Sequence, residues 1–237
     1  MLSLSRLTSV KQLPIRQPQF LNVLCETCAE VIPRDCKIGF HVDCKRGILL
    51  FRRGDYAKSI VVVCKGTVKL SSSSKRGDNF ILRLASPGDV LGMSAAIANL
   101  PYEVTAESLA PCLLRILPSV DVLRMITESE GAKHCVTELL ARQHQSEVAE
   151  SCRAALSNSV ADRIASVLLK LRQGLHETEL RETFCLLLTH QEIAEMVGST
   201  RETVTRAMQQ FRRDGVIALN GREITLLRQE LLEDMAS

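Results

Sequence analysis

Two sets of side chains in this chain of 237 residues could do chemistry, one through directional hydrogen bonds and one through sulfur. The first is Arg201, Glu202, Thr205 and Arg206, in the run STRETVTR over residues 199–206. On a helix these four fall within the first two turns of an outward, polar face. A guanidinium there can donate to guanine O6 and N7, and a carboxylate can accept from the cytosine amino group, which is how base edges are read in a major groove. Ser199 and Thr200 just ahead, and Thr189, His190 and Gln191 one element earlier, complete the expected DNA-binding set, with Thr189 combining a helix cap and a phosphate contact.

The second set is the cysteines, nine in all. Cys25 and Cys28 form a CxxC, with Cys36 and Cys44 following; four such thiolates could hold structural zinc, or act as redox thiols. Cys64, Cys135, Cys152 and Cys185 stand in apolar runs and read as core residues. Cys112, in APCLLRIL, suits a buried strand. No cluster of His or carboxylates accompanies the cysteines, and no nucleophile is evidently paired with a base, so the chain does not read as an enzyme.

The outward face needs a helix pinned from behind. Thr189 followed by Glu192 makes a capping box, and a short helix then runs to Gly198. A second helix starts at Ser199 or Thr200, with Val204, Ala207, Met208 and Phe211 as an apolar stripe able to pack on Ile193 and Val197. Glu202 lies three residues after Ser199 and could instead close a second capping box. Arg212 and Arg213 read as phosphate clamps or a solvated last turn. After Gly215, Val216–Leu219 and Glu223–Leu226 flank Asn220-Gly221, the pair that best accepts a type I′ hairpin turn. The pattern is a helix-turn-helix with a β-hairpin wing.

QEIAEMVG over 191–198 followed by RETVTR over 201–206 resembles, nearly residue for residue, the signature of the cyclic-AMP receptor protein and fumarate-nitrate regulator (CRP/FNR) family. The resemblance extends at lower identity from about Gly47 to Leu227. It implies that Arg201 and Arg206 donate to guanine and Glu202 accepts from cytosine, on a near-palindrome of TGTGA-like half-sites. It implies double-stranded DNA, a second copy of the chain and RNA polymerase as partners, and no membrane.

Between Ile48 and Pro118 the runs ILLF, SIVVVC, TVKL, FILRLA and DVLGM alternate with Gly-Asp and Lys-Gly turn signals, the spacing of a small sandwich or barrel. The family counterpart is a double-stranded β-roll that senses an effector. Members that bind cyclic nucleotide use a Gly-Glu-Leu segment and an Arg-Ser segment. Here the matching positions are Gly92, Met93 and Ser94, then Tyr102, Glu103 and Thr105, which lack the ribose-binding acid and place Glu103 where a phosphate would be repelled. Cyclic AMP is therefore disfavoured, which leaves the same cavity open to some other ligand or to none. The oxygen-sensing branch holds a [4Fe-4S] cluster with four cysteines, which Cys25, Cys28, Cys36 and Cys112 could imitate. The gap from Cys28 to Cys36 is longer than that branch's, and the group sits closer to the β-roll.

Helical patterning runs from about Ser119 to Leu156. Leu139, Leu140, Val148, Ala149 and Leu156, with Gln143, Ser146 and Arg153 in the seam, make a weak heptad, expected from the resemblance to be the dimer contact. Leu156–Ile164 reads as a hinge, with Ser157 or Asn158 breaking the helix and Ser159 capping the next. Residues 174–183 read as a loop. The expected class is α+β, divided into a Cys-rich arm (1–44), a β-roll (45–128), a dimerisation helix (129–157) and a winged helix-turn-helix (158–237). A net charge of +3 requires any attraction to nucleic acid to be focused on one face. No apolar run is long enough for a membrane span, and the N-terminus, interrupted by Pro14 and Pro18, lacks a signal-peptide core, as expected of a flexible arm on a cytoplasmic protein.

Overall fold

The computed structural model describes residues 38–236 apart from 75–76, 78, 157–158, 174–182 and 222. Strands β1 (Phe40–Cys44), β2 (Leu49–Phe51), β3 (Ser59–Lys65), β4 (Val68–Ser73), β5 (Asn79–Ala85), β6 (Val90–Leu91), β7 (Thr105–Ser108) and β8 (Cys112–Pro118) build two antiparallel four-stranded sheets. Their orders are β1-β8-β3-β6 and β2-β7-β4-β5. The run SIVVVCK is apolar on both faces because β3 is covered twice. Val61 and Val63 meet the second sheet through Val68, Leu70 and Ala106. Ile60, Val62 and Cys64 meet helices α1 (Met93–Ala98), α2 (Ser119–Glu128) and α3 (Glu130–Leu156) through Met93, Val122 and Val136.

Two boundaries differ from expectation. Residues 40–44 belong to the β-roll rather than to an arm, because β1 pairs with β8 from Phe40↔Ile116 to Cys44↔Cys112. In DVLGM only Val90–Leu91 is strand; Gly92, at φ 78, turns the chain into α1.

The helix α3 spans the expected dimerisation segment, but its faces are assigned differently. Val136, Leu139 and Leu140 pack on the β-roll, Ala132 is buried on the same face, and Gln143 Nε2 donates to Val90 O at 2.7 Å. The opposite face exposes His134, Glu138, Ala141, Gln145, Val148 and Cys152, which recur at alternating steps of four and three. Cys135 and Cys152 are exposed rather than core, since only one face of α3 is covered.

Ser159 caps α4 (Val160–Gln173) as expected: its Oγ accepts from Asp162 N at 3.1 Å and its N donates to Asp162 Oδ2 at 3.0 Å. Residues 157–158 of the expected hinge and 174–182 of the expected loop lie outside the described residues, while Thr183 belongs to strand β9 (Thr183–Cys185). Helices α5 (His190–Val197), α6 (Arg201–Arg213) and α7 (Gln229–Ala236) complete the C-terminal domain with strands β10 (Ile217–Asn220) and β11 (Glu223–Leu226), in the sheet order β10-β11-β9. Ile164, Leu168, Ile193, Val204, Met208, Ile224 and Leu232 are its fully buried centre, and Leu84 and Leu109 of the β-roll pack against the same core.

Candidate nucleic-acid interface and effector cavity

The helix-turn-helix is assembled from local signals. Thr189 Oγ1 accepts from Glu192 N at 3.2 Å and Glu192 Oε2 accepts from Thr189 N at 3.0 Å, closing the expected capping box. Gly198, at φ 62, ends α5, and Arg163 Nε donates to Val197 O at 2.9 Å, satisfying a terminal carbonyl. The cap of α6 is Thr200, whose Oγ1 accepts from Thr203 N at 3.2 Å. Glu202 therefore closes no second capping box, because starting the helix one residue after Ser199 moves the N3 position to Thr203. Ser199 is half-buried, its amide donating to Ala194 O at 3.0 Å.

Burial of Val204, Met208 and Phe211 turns the other side of α6 outward, leaving Arg201, Glu202 and Arg206 exposed. Gln191 and Thr200 are exposed beside them. Thr205 and His190 are instead half-buried and linked, with Thr205 Oγ1 at 3.0 Å from His190 Nδ1 and donating to Arg201 O at 2.8 Å. That link braces α5 against α6. In the wing Asn220 remains strand, paired with Glu223, and only Gly221 of the Asn-Gly pair has positive φ, 61°. The expected turn is thus shifted by one residue, because burying Ile217, Ile224 and Leu226 sets the register.

Nothing local in the chain marks how this domain is held to the β-roll. Lys69 Nζ of β4 lies 2.9 Å from Glu192 Oε1 of α5 and 3.6 Å from Glu107 Oε2, and Arg46 Nη2 donates to Leu187 O at 3.0 Å. Burial works against the Lys69 ammonium, but the Glu192 hydrogen bond and the charges of Glu107 and Glu192 outweigh it and raise its pKa. Burial likewise opposes the Glu192 carboxylate, but the Thr189 amide and Lys69 outweigh it and hold the carboxyl below its usual range.

A cavity of about 440 Å³ opens between the β-roll and α3. Gly92, Met93, Ser94, Tyr102 and Glu103 line it as expected; Thr105 does not, since its Oγ1 accepts from Arg53 N at 3.1 Å. Tyr102 stacks on Phe51 with centroids 3.9 Å apart, and its hydroxyl donates to Ser59 O at 2.5 Å. A Cβ at Gly92 would come within 2.7 Å of the Tyr102 ring. Sequence reasoning missed Arg53, Arg83, Gln143 and Glu147 in the lining, which nothing local marks. Arg53 Nη1 donates to Ser72 Oγ at 2.8 Å, and Arg83 Nη1 pairs with Asp89 Oδ2 at 3.0 Å.

Cys25, Cys28 and Cys36 lie outside the described residues. Cys112 is buried, with its Sγ donating to Ala110 O at 3.2 Å and Thr67 O at 3.3 Å. Burial raises its thiol above the ordinary range. A cluster ligand must be a thiolate, and a negative sulfur facing two carbonyl oxygens fits poorly. Among the described residues no group of three or more His, Cys, Asp or Glu could hold a metal ion. No described helix is long and apolar enough to cross a membrane.

Residues 41–129 match the family model of the cyclic nucleotide-binding domain, and residues 162–235 that of the Crp-like helix-turn-helix domain. The regulatory protein HlyX of Actinobacillus pleuropneumoniae is 26% identical over 189 residues, covering 78% of this chain and 76% of that protein. The cyclic AMP receptor protein of Thermus thermophilus is 27% identical over 192 residues, covering 81% and 85%. The solved structure of a CRP-family transcriptional regulator from Thermus thermophilus has a TM-score of 0.69 at 26% identity, covering 82% of this chain and 96% of that one. FixK2 from Bradyrhizobium japonicum reaches 0.71 at 19% identity, covering 84% and 98%, a likeness of fold alone.

Proposed function

We propose that this chain, which belongs to the CRP/FNR family of DNA-binding transcription regulators, works as a homodimer that reads a near-palindromic site of TGTGA-like half-sites. The observation that carries the reading is the exposed trio Arg201, Glu202 and Arg206 on α6, held outward by the buried Val204, Met208 and Phe211. Arg201 and Arg206 donate to guanine and Glu202 accepts from cytosine, while Thr189, Gln191, Ser199 and Thr200 meet phosphates and His190 with Thr205 sets the angle between the helices.

The exposed stripe from His134 to Cys152 supports the dimer. Steps of four and three place those residues along one seam of a two-stranded parallel coil, and Val148, 47% exposed, is its largest apolar member. Two copies would then set their recognition helices about 34 Å apart, one turn of DNA. One relative, 26% identical over 185 residues, is the transcriptional activator protein anr of Pseudomonas aeruginosa, and activation supports RNA polymerase as a further partner.

The cavity is the effector site, and its wall argues against cyclic AMP even though one relative is named a cyclic AMP receptor protein. Met93 is buried where a ribose-binding acid would be needed, and Glu103 is an exposed carboxylate on the phosphate side. An effector there touches Gln143 and Glu147 of α3, so it can bias the dimer helices directly. It shifts the DNA-binding equilibrium only through unequal affinity for the two arrangements.

Fluorescence anisotropy with a palindromic TGTGA-type duplex and a scrambled one tests the reading, on protein kept from air and again after exposure to it. Preference for the palindrome is expected; equal binding to both duplexes would refute the assigned reader residues. Sedimentation of Val148→Asp tests the seam, with a shift toward monomer expected.

A further inference from the structure

Cys44, the last residue of β1, stands directly opposite Cys112, the first residue of β8, in the antiparallel register of the first sheet. Directly opposed residues project from the same sheet face with Cβ atoms roughly 4.5–5.5 Å apart. A disulfide needs Cβ atoms about 3.8 Å apart, so closure asks for an approach on the order of 1 Å and no rebuilding of the sheet. Both side chains lie in the core between the two sheets. Cys112 Sγ is pressed against Gly66, where a Cβ would come within 2.7 Å of it. The position is also coupled outward: two residues after Cys44, Arg46 donates to Leu187 O, immediately ahead of Leu188 and the Thr189 cap of α5. Ser108 Oγ, donating to Lys45 O at 2.7 Å, pins the segment between them.

We propose that Cys44 and Cys112 form a redox site, a reversible intrachain disulfide closed by a peroxide, whose closure is felt by the DNA-binding domain through Arg46. Burial holds both thiols neutral, so the Cys44 thiol first loses its proton to solvent in an opening of the strand pair; its thiolate attacks a peroxide oxygen, the O–O bond breaks, and hydroxide leaves as a sulfenic acid forms. The second sulfur attacks the first, the S–O bond breaks, and the oxygen departs as water. The pair loses two electrons and two protons, and the peroxide becomes two waters. A dithiol reductant reverses the step. Drawing the strands together moves the Lys45–Arg46 backbone and with it the anchor on Leu187.

The first readout is independent of any DNA site. Reduced full-length protein is treated with hydrogen peroxide, blocked with N-ethylmaleimide and digested with trypsin without reductant. Cys44 is the only cysteine of the tryptic peptide 38–45 and Cys112 the only one of 84–115. The expected product is these two peptides joined, two hydrogens lighter than their sum and separated by dithiothreitol. Recovery of both peptides with blocked thiols, or either joined to a different cysteine, would overturn the site. The second readout rests on the proposed DNA reading: peroxide should change the dissociation constant for the palindrome at least threefold in the unaltered protein and not in Cys44→Ser. A closed disulfide with an unchanged constant would overturn the coupling. Reduced protein that ignores the palindrome would sink the DNA reading and leave the peptide result standing.

Discussion

Lys69 Nζ sits 2.9 Å from Glu192 Oε1, so that a strand of the β-roll and the first helix of the helix-turn-helix share one ion pair. The same Glu192 carboxylate completes the capping box with Thr189. Side-chain exposures of 15% and 19% place the pair in the part-buried range, where geometry and hydrogen bonding decide whether it stabilises. Here Glu107 and the Thr189 amide satisfy the remaining valences. A signal that shifts β4 therefore reaches the N-terminus of α5 without an intermediary.

Replacing Lys69 with Ala should cost about 1 kcal/mol, lowering Tm by roughly 2–4 °C at neutral pH. The pH dependence has a definite sign. Glu192 is lowered in the folded state, so its contribution is present above the unfolded carboxyl value of about 4.3 and is lost as pH falls through the lower folded value. Lys69 is raised, so its contribution is present below about 10.4 and is lost as pH rises through the higher folded value. The gap between the parent and Lys69→Ala should be widest between about pH 5 and 10 and should close in acid. Thermal melts across that range check it, and an undiminished gap in strong acid would contradict the pairing.

The two candidate caps of α6 separate by mutation. Thr200→Ala should cost about 1 kcal/mol in urea unfolding, and Ser199→Ala less than about 0.5. Glu202→Ala should leave unfolding unchanged while altering duplex preference. A loss of stability at Glu202 comparable to that at Thr200 would return it to a capping role.

Arg206→Ala should weaken binding to the palindrome by about 1–3 kcal/mol and relax preference at one base pair per half-site, read by anisotropy against a panel of single-pair variants. Binding to scrambled DNA should fall much less. Equal losses on both would mean that Arg206 meets only phosphate.

Gly92 and Gly198 both require positive φ, 78° and 62°, but only Gly92 also lacks space, with the Tyr102 ring 2.7 Å from an added Cβ. Gly198→Ala should cost about 1 kcal/mol from backbone strain alone. Gly92→Ala should cost more and disturb the cavity wall. Comparison of the two urea midpoints decides it, and an equal cost would mean that Tyr102 yields freely.

High pH probes the sheet pair. Burial, then the nearby Cys112 thiol and Asp43, push Cys44 from 9.0 up to about 11. With the folded value raised, the contribution of the neutral thiol is present below pH 9 and is lost as pH climbs toward 11. Unfolding stability should therefore fall over that interval more steeply in the parent than in Cys44→Ser, which has no thiol to ionise there; parallel profiles would contradict the burial.

Signals that act within a few residues were legible in the chain itself: the Thr189–Glu192 box, the Gly198 stop, the Val204–Met208–Phe211 stripe and the Ser159 cap all depend on one helical turn or two. So was the division into a β-rich half and a winged half, because side-chain periodicity differs between strand and helix. Where packing chooses among faces, the chain was silent or misleading. Leu139 and Gln143 read as dimer seam, yet they turn to the β-roll; the Asn-Gly turn moved by one residue because buried wing side chains outrank turn preference. The contact between Lys69 and Glu192, 123 residues apart, and the pairing of Cys44 with Cys112 exist only once domains dock and strands take their register. Local hydrogen bonds are encoded by neighbours in sequence, whereas which distant charges and thiols meet is decided by the burial of the apolar faces that carry them.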